Sequence, residues 1–132
     1  MKVYIVRHGE VPHNVRKEYN SSDEDLTDNG IVQALELREK IKDIKFDIVI
    51  SSPLLRTIHT ENILTYYDDS IITDERLKER DCGDLDGKPN EYTNREEYWN
   101  YYTKIQYGTS ENIKSFFERV YAFLDELKTK KY

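Results

Sequence analysis

The chain carries two kinds of hydrophobic pattern. Three short apolar runs, at 3–6, 47–50 and 70–73, have the length and composition of buried strands. Between them, apolar residues at three- and four-residue steps predict one helix from Thr27 to Ile44 and another from Ser52 to Leu64. The order strand–helix–strand–helix–strand predicts right-handed crossovers and a parallel sheet, and therefore an α/β fold.

Local signals predict where these helices begin. Thr27 is expected to cap the first, and Ser52 the second, with Pro53 at its first helical position. The polar stretch Glu18–Asp25 is turn-like, which predicts a surface loop near the end of the first strand.

The last third of the chain contains an irregular segment and then the strongest helical pattern. An apolar stripe within 110–131 predicts a C-terminal helix whose stripe packs in the core. The segment 83–108 is rich in aromatic residues, and it is either a lid over a site or a packed helical excursion at the core edge. Its aromatic cluster comprises Tyr92, Tyr98, Trp99, Tyr101, Tyr102 and Tyr107.

Composition narrows the class of protein. At 132 residues, with 37% hydrophobic and 35% charged residues, the chain is expected to form a single globular domain, 1–132. No apolar run is long enough to span a membrane, and no signal-peptide pattern is present, so we expect a cytoplasmic protein. Cys82 is the lone cysteine and is interpreted as a loop thiol without a role.

Net charge limits the partners. A formal charge of −6 and a pI near 5.1 argue against nucleic acid, which requires a basic surface. An anionic ligand would need a local positive pocket, so the positions of the arginines are informative. No Cys/His spacing indicates a metal site, and we expect no cofactor.

The candidate chemistry lies directly after the first apolar run, at Arg7-His8-Gly9-Glu10. Arg7 provides a planar cation suited to phosphate oxygens, and His8 a nitrogen that can act as base or nucleophile. The tetrapeptide alone is equally compatible with a solvated Arg-His pair at a strand end. In a parallel sheet, however, this loop and Ser51–Arg56 would emerge at the same edge, where Arg7 and Arg56 could share a pocket.

Four motifs, in this order and at ordinary spacing, resemble the histidine phosphatases, the phosphoglycerate-mutase-like superfamily. This resemblance implies a three-layer α/β/α fold with a mainly parallel sheet. The matching blocks are Arg7-His8-Gly9-Glu10 with Asn14, Leu26-Thr27-Asp28-Asn29-Gly30 with Gln33-Ala34, Ser51-Ser52-Pro53-Leu54-Leu55-Arg56-Thr57 with Thr60, and Leu77-Lys78-Glu79 with Gly83 and Gly87.

The resemblance implies a phosphomonoester hydrolase that works through a phosphohistidine on His8. Glu79 would protonate the leaving alkoxide and later accept a proton from water, although a carboxylate in so charged a run is by default a solvated surface group. No metal is implied, because arginines supply the positive charge.

The same resemblance implies how the phosphate of a small-molecule ester is held. Arg7 and Arg56 would clamp the equatorial oxygens, where charge spreads in the transition state. Asn14 would donate a further hydrogen bond. Ser52 and the start of its helix would direct backbone N–H groups at the same pocket.

Members of the family carry a second His-Gly pair, which follows a helix like that at 110–131 and helps hold the phosphate. This sequence departs from that pattern. The chain stops at Tyr132, and neither His13, interpreted as a rim contact, nor His59, interpreted as an exposed helix residue, matches that motif. We therefore expect a C-terminally incomplete member whose open sheet edge a homodimer could cover. The alternatives to a phosphatase are a phospholigand-binding pseudoenzyme, a phosphoglycerate mutase-type phosphotransferase, and a structural interaction domain built on the open edge and the tyrosine cluster.

Overall fold

The computed structural model describes all residues from Met1 to Tyr132, and the fold is α/β. Its two short strands pair in parallel with Ile50 opposite Ile72, which confirms the predicted direction of pairing. None of the helices combines the length and apolarity needed to cross a membrane. The elements are α1 (Pro12–Arg16), α2 (Asp28–Ile41), β1 (Ile50–Ser51), α3 (Leu55–Leu64), β2 (Ile72–Thr73), α4 (Arg95–Tyr98) and α5 (Ile113–Thr129), with 3₁₀ turns at Glu75–Leu77, Gly83–Leu85 and Asn90–Tyr92.

The prediction of a first strand at Val3–Val6 is wrong. The segment has no regular secondary structure, and its side chains are exposed, Ile5 to 91%. A β-strand forms only where a neighbouring strand accepts and donates its backbone hydrogen bonds. Residues 3–6 form no backbone hydrogen bond to another segment, so their strand-like composition is not sufficient. The homodimer that was expected to cover an open sheet edge remains a prediction.

Helix α2 follows its sequence signals, whereas α3 begins later than expected. Thr27 caps α2, its Oγ1 accepting from the Gly30 N–H at 3.0 Å. Helix α3 begins at Leu55, so the predicted start at Ser52 and Pro53 is wrong. A carboxylate from the loop before α2 does the capping that was expected of Ser52, because Asp23 Oδ1 accepts from the Leu55 N–H at 2.7 Å.

Helix α5 forms as predicted, but its apolar stripe is less buried than expected. Asn112 caps the helix by accepting from the N–H groups of Lys114 and Ser115. Of the predicted stripe only Ile113 is fully buried, and α5 packs mainly on the Glu75–Leu77 turn. The half-buried members of the stripe are Phe116, Phe117, Val120, Leu124 and Leu127.

The main apolar cluster lies away from the short sheet. Cys82 is buried in it, so the thiol read as a loop residue without a role is a packing residue. Tyr98 is only 1% exposed and packs edge-to-face on Tyr19, with ring centroids 5.1 Å apart. Tyr98 is therefore a core residue, while Tyr102 in the same aromatic segment is 80% exposed. The cluster comprises Tyr19, Cys82, Leu85 and Tyr98, with Tyr107 against it.

Glu61 on α3 is a buried carboxyl. The residue is 7% exposed, and neither carboxylate oxygen has a hydrogen-bond partner. Burial raises the pKa of Glu61, since the charged form loses its hydration, and the negative charge of Asp68 adds to this; together they outweigh the lowering effect of the nearby Thr65 hydroxyl, which makes no geometrically defined hydrogen bond to the carboxylate. The folded protein therefore binds a proton at Glu61 more readily than the unfolded chain does.

This raised pKa predicts a pH-dependent contribution to stability. Because the folded-state pKa is above the unfolded value of about 4.3, the stabilising contribution is complete below that pH and is lost as the pH rises through the folded-state pKa. Glu61→Gln removes the titration. The free energy of unfolding of the wild-type chain, measured by urea titration, should therefore fall relative to the variant as the pH is raised. Parallel stability curves for the two chains would contradict the prediction.

Candidate active site

The His8 loop is placed by a close main-chain contact between two glycines. A Cβ on Gly9 would lie under 3.0 Å from the Gly30 carbonyl oxygen, and a Cβ on Gly30 under 3.0 Å from the Glu10 carbonyl oxygen. Such separations are well below van der Waals contact, so each position accepts only glycine. The loop that carries His8 thus lies directly on the first turn of α2.

Side chains from two helices then fix the loop by hydrogen bonds. From α2, Gln33 Oε1 accepts from the Glu10 N–H at 2.9 Å, and Thr27 Oγ1 donates to Glu10 Oε1 at 2.7 Å. From α3, Thr60 Oγ1 accepts from the Gly9 N–H at 3.0 Å. The His8 loop is therefore held between α2 and α3 without any strand hydrogen bond.

The tautomer of His8 follows from its one hydrogen bond. His8 Nδ1 lies 2.6 Å from the Gly9 carbonyl oxygen, which can only accept, so Nδ1 carries the proton. Nε2 makes no hydrogen bond and keeps its lone pair. Burial lowers the pKa of His8, and the positive charges of Arg56 and Arg7 also lower it, against the raising effects of the Gly9 carbonyl and Glu79. The neutral, nucleophilic form is therefore favoured at neutral pH.

An open cleft of about 480 Å³ lies beside His8. Arg7 lines it with a guanidinium that makes no hydrogen bond or ion pair, which leaves its donors available to an anion. Asn14 accepts from the Val11 N–H through Oδ1 at 3.1 Å, and its amide nitrogen is free. Every lining residue is polar: Arg7, His8, Glu10, His13, Asn14, Glu18, Gln33 and Asn90.

Arg56 and Glu79 are brought together, although neither lines that cleft. The Arg56 side chain is 2% exposed, and its Nη2 donates to Glu79 Oε2 at 3.1 Å. Its Nη1 donates to the Ser22 carbonyl oxygen at 3.3 Å. The positive charge of Arg56 lowers the pKa of His8 and the negative charge of Glu79 raises it.

Ser52 stands apart from the other candidates. It is buried, does not line the cleft, and its Oγ accepts from the Leu54 N–H at 3.4 Å in a local turn. The N-terminus of α3, predicted to point at the phosphate pocket, is instead occupied by Asp23. The role of Ser52 as a phosphate ligand remains a prediction.

The other two histidines are paired with carboxylates. His13 lines the cleft, and its Nδ1 lies 2.5 Å from Glu24 Oε2. His59 is half-buried rather than exposed as predicted, because its Nδ1 lies 2.6 Å from Asp25 Oδ1. Asn90 reaches the cleft from a distant turn, and no local sequence pattern could have indicated it.

Comparison with known proteins shows the family to which the chain belongs. The profile of the histidine phosphatase superfamily (branch 1) matches residues 3–132, and the chain belongs to this superfamily. The crystal structure of the alpha-ribazole phosphatase from Shigella flexneri is similar with a TM-score of 0.80 and 27% identity, over 93% of this chain and 65% of that one.

Two relatives show the same similarity in sequence. A protein named probable phosphoglycerate mutase GpmB from Proteus mirabilis (strain HI4320) is 39% identical over 102 residues, 75% of this chain and 47% of that protein. The uncharacterized phosphatase PhoE of Bacillus subtilis (strain 168) is 38% identical over 89 residues, 66% of this chain and 46% of that protein. The chain spans about half the length of these curated relatives.

The state of His8 can be measured by NMR titration. We expect its imidazole to titrate below the ordinary value of about 6.5, with Nδ1 protonated in the neutral form. The resonance is assigned by its loss in His8→Asn. A midpoint above the ordinary value, or a neutral form protonated at Nε2, would contradict this description.

The glycine contact predicts a position-specific loss of stability. Gly30→Ala should lower the free energy of unfolding by about 2 kcal/mol, because the added methyl meets main chain that cannot rotate away. Asn29→Ala, at the exposed neighbouring position of the same helical turn, is the matched control and should change it by less than about 0.5 kcal/mol. Equal urea midpoints for the two variants would refute the close contact.

Proposed function

We propose that this protein is a phosphomonoester hydrolase in which Nε2 of His8 is the nucleophile. The observation that carries the proposal is the state of His8: Nδ1 is committed to the Gly9 carbonyl, the pKa is lowered, and Nε2 is free beside a cleft lined by the unpaired Arg7. A neutral imidazole with a free lone pair next to an unoccupied cation is suited to attack on phosphorus.

In the first step, Nε2 bonds to phosphorus while the bond from phosphorus to the ester oxygen breaks. Arg7 binds equatorial oxygens, and Arg56 adds positive charge where negative charge spreads. An entering monoanionic phosphate ester competes with Glu79 for Arg56 and releases Glu79 as a carboxylate. Glu79 then accepts the proton that the ester phosphate carries and delivers it to the leaving alkoxide. The result is an alcohol and a phosphohistidine.

In the second step, water attacks the phosphohistidine. Glu79, now a carboxylate, takes a proton from the water as the bond from oxygen to phosphorus forms and the bond to Nε2 breaks. Inorganic phosphate leaves and His8 returns to its neutral form. One carboxyl thus acts first as acid and then as base.

The lining of the cleft supports a small polar ester as substrate. Because no apolar side chain lines the cleft, it offers hydrogen bonds to hydroxyl, amine or amide groups and no surface for a hydrophobic chain. The similar proteins carry names of a phosphatase and of a phosphoglycerate mutase. Phosphotransfer to a second hydroxyl instead of water is the corresponding alternative.

A second candidate function is binding of a phosphorylated ligand without turnover. It is favoured by one observation, since Arg56 and Glu79 are paired with each other and do not line the cleft. In that case Arg7, His8 and Asn14 would retain the ligand, but no acid would reach the leaving oxygen.

The test is phosphate release from a soluble alkyl phosphate and from an aryl phosphate. His8→Ala should lower turnover by about a thousand-fold or more, as loss of a nucleophile does. His59→Ala, a histidine paired with Asp25 outside the cleft, should leave turnover unchanged within about twofold.

The outcomes separate the candidates. Turnover that His8→Ala abolishes supports the hydrolase, and transfer of phosphate to an added alcohol in place of water supports the transferase. Vanadate binding without turnover supports the binding function. The absence of both turnover and vanadate binding would refute all three candidates.

A further inference from the structure

Arg119 on α5 uses all of its guanidinium hydrogens. Nε donates to Glu111 Oε2 at 2.8 Å, and Nη1 donates to the carbonyl oxygens of Arg76 at 2.8 Å and Lys78 at 2.7 Å. Nη2 donates to the Glu79 carbonyl oxygen at 3.1 Å and to Glu111 Oε1 at 2.8 Å. Three of the five bonds thus go to the main chain just before and at the residue proposed as acid.

Glu79 has little else to fix its place. It lies outside any helix or strand, its side chain is 53% exposed, and Arg56 is the sole hydrogen-bond partner of its carboxylate. A carboxyl on such a segment would sample many positions unless its backbone were held. Arg119 provides that restraint from a 17-residue helix.

Glu111 holds Arg119 and also the chain beyond Glu79. Its backbone N–H donates to the Asp81 carbonyl oxygen at 2.8 Å, and its own carbonyl accepts from Arg80 Nε at 2.8 Å. Burial favours the neutral acid, but the hydrogen bonds and charge of Arg119 outweigh it and lower the pKa of Glu111. The bidentate pair therefore stays charged and geometrically defined.

We propose that Arg119, oriented by Glu111, is a positioning residue for Glu79. The inference rests on the proposed hydrolase function and adds to it a device outside the cleft. Arg119 does not line the cleft, so it acts only through the placement of the Glu79 backbone. Its planar guanidinium is what allows one side chain to hold three carbonyls and a carboxylate together, which an ammonium group does not reproduce.

This role has a specific kinetic signature. Proton donation by Glu79 matters most when the leaving group is a basic alkoxide, and little when it is a stable phenolate such as 4-nitrophenolate. Displacement of Glu79 should therefore lower kcat/KM, which reports transfer of the phosphoryl group to His8, for alkyl phosphates and spare it for activated aryl phosphates. A general loss of folding would slow both equally.

The experiment compares Arg119→Lys with the wild-type chain on an alkyl phosphate and on 4-nitrophenyl phosphate. We expect kcat/KM for the alkyl ester to fall by about tenfold to a hundredfold, the lower part of what general acids contribute, with kcat/KM for the aryl ester within about threefold. The comparison uses kcat/KM because hydrolysis of the phosphohistidine, in which Glu79 is the base, is common to both esters and enters kcat alone. Lys128→Ala, at an exposed position of the same helix, is the control and should alter neither.

Two further variants keep the test decisive. Glu111→Gln weakens the same pair from its other end and should give the same alkyl-selective loss, so it replaces Arg119→Lys if that chain does not fold. In a Glu79→Gln background, Arg119→Lys should cause no additional loss on the alkyl ester, because the group that it positions is already absent.

An equal loss on both esters, no loss on either, or an undiminished effect in the Glu79→Gln background would overturn the positioning role while leaving the hydrolase intact. Absence of His8-dependent turnover in the unmodified chain would instead overturn the hydrolase, and the inference with it. The two failures are distinguished before any change at Arg119 is made.

Discussion

The main-chain contact of the His8 loop with the first turn of α2 is the constraint on which the rest of the site depends. Gly9 and Gly30 let the two backbones approach, and only at that distance can Thr27 and Gln33 reach Glu10. The loop then presents the Gly9 carbonyl to Nδ1 of His8, which leaves Nε2 free. Backbone proximity therefore decides which imidazole nitrogen is available for chemistry.

Four arginines near the candidate site divide into two groups with different tasks. Arg7 is unpaired at the cleft, and Arg56 is buried with an exchangeable carboxylate partner, so both offer positive charge in a molecule of net charge −6. Arg80 donates to two backbone carbonyls and lies 3.9 Å from the centre of the Tyr98 ring. Arg119 donates to three backbone carbonyls and to the Glu111 carboxylate. These two arrange the polypeptide around Glu79 rather than attract a ligand.

Sequence reasoning succeeded where the determinants are local. The Thr27 cap, the α2 and α5 helices and the parallel pairing of Ile50 with Ile72 follow from periodicity and capping residues. It failed where a distant partner decides the outcome. Val3–Val6 has strand composition but forms no backbone hydrogen bond to a neighbour, and the capping expected of Ser52 is done by Asp23, 32 residues before Leu55.

The motif match placed Arg7, His8 and Asn14 around one cleft, but motifs did not indicate Arg119. Its partners lie between 8 and 43 positions from it along the chain, and its importance lies in three carbonyl groups that every residue type carries. Side-chain patterns identify what reacts. They do not indicate which residues hold the backbone in place, because backbone carbonyl groups have no sequence signature.

The paired glycines have a consequence for the genetics of this loop. Each added Cβ would meet the partner segment's main chain, so shrinking a neighbouring side chain cannot make room for it. A damaging substitution at Gly9 or Gly30 therefore has no local second-site suppressor, in contrast to an overpacked core position, where a smaller neighbour can restore the volume. Recovery at either position is expected to require reversion.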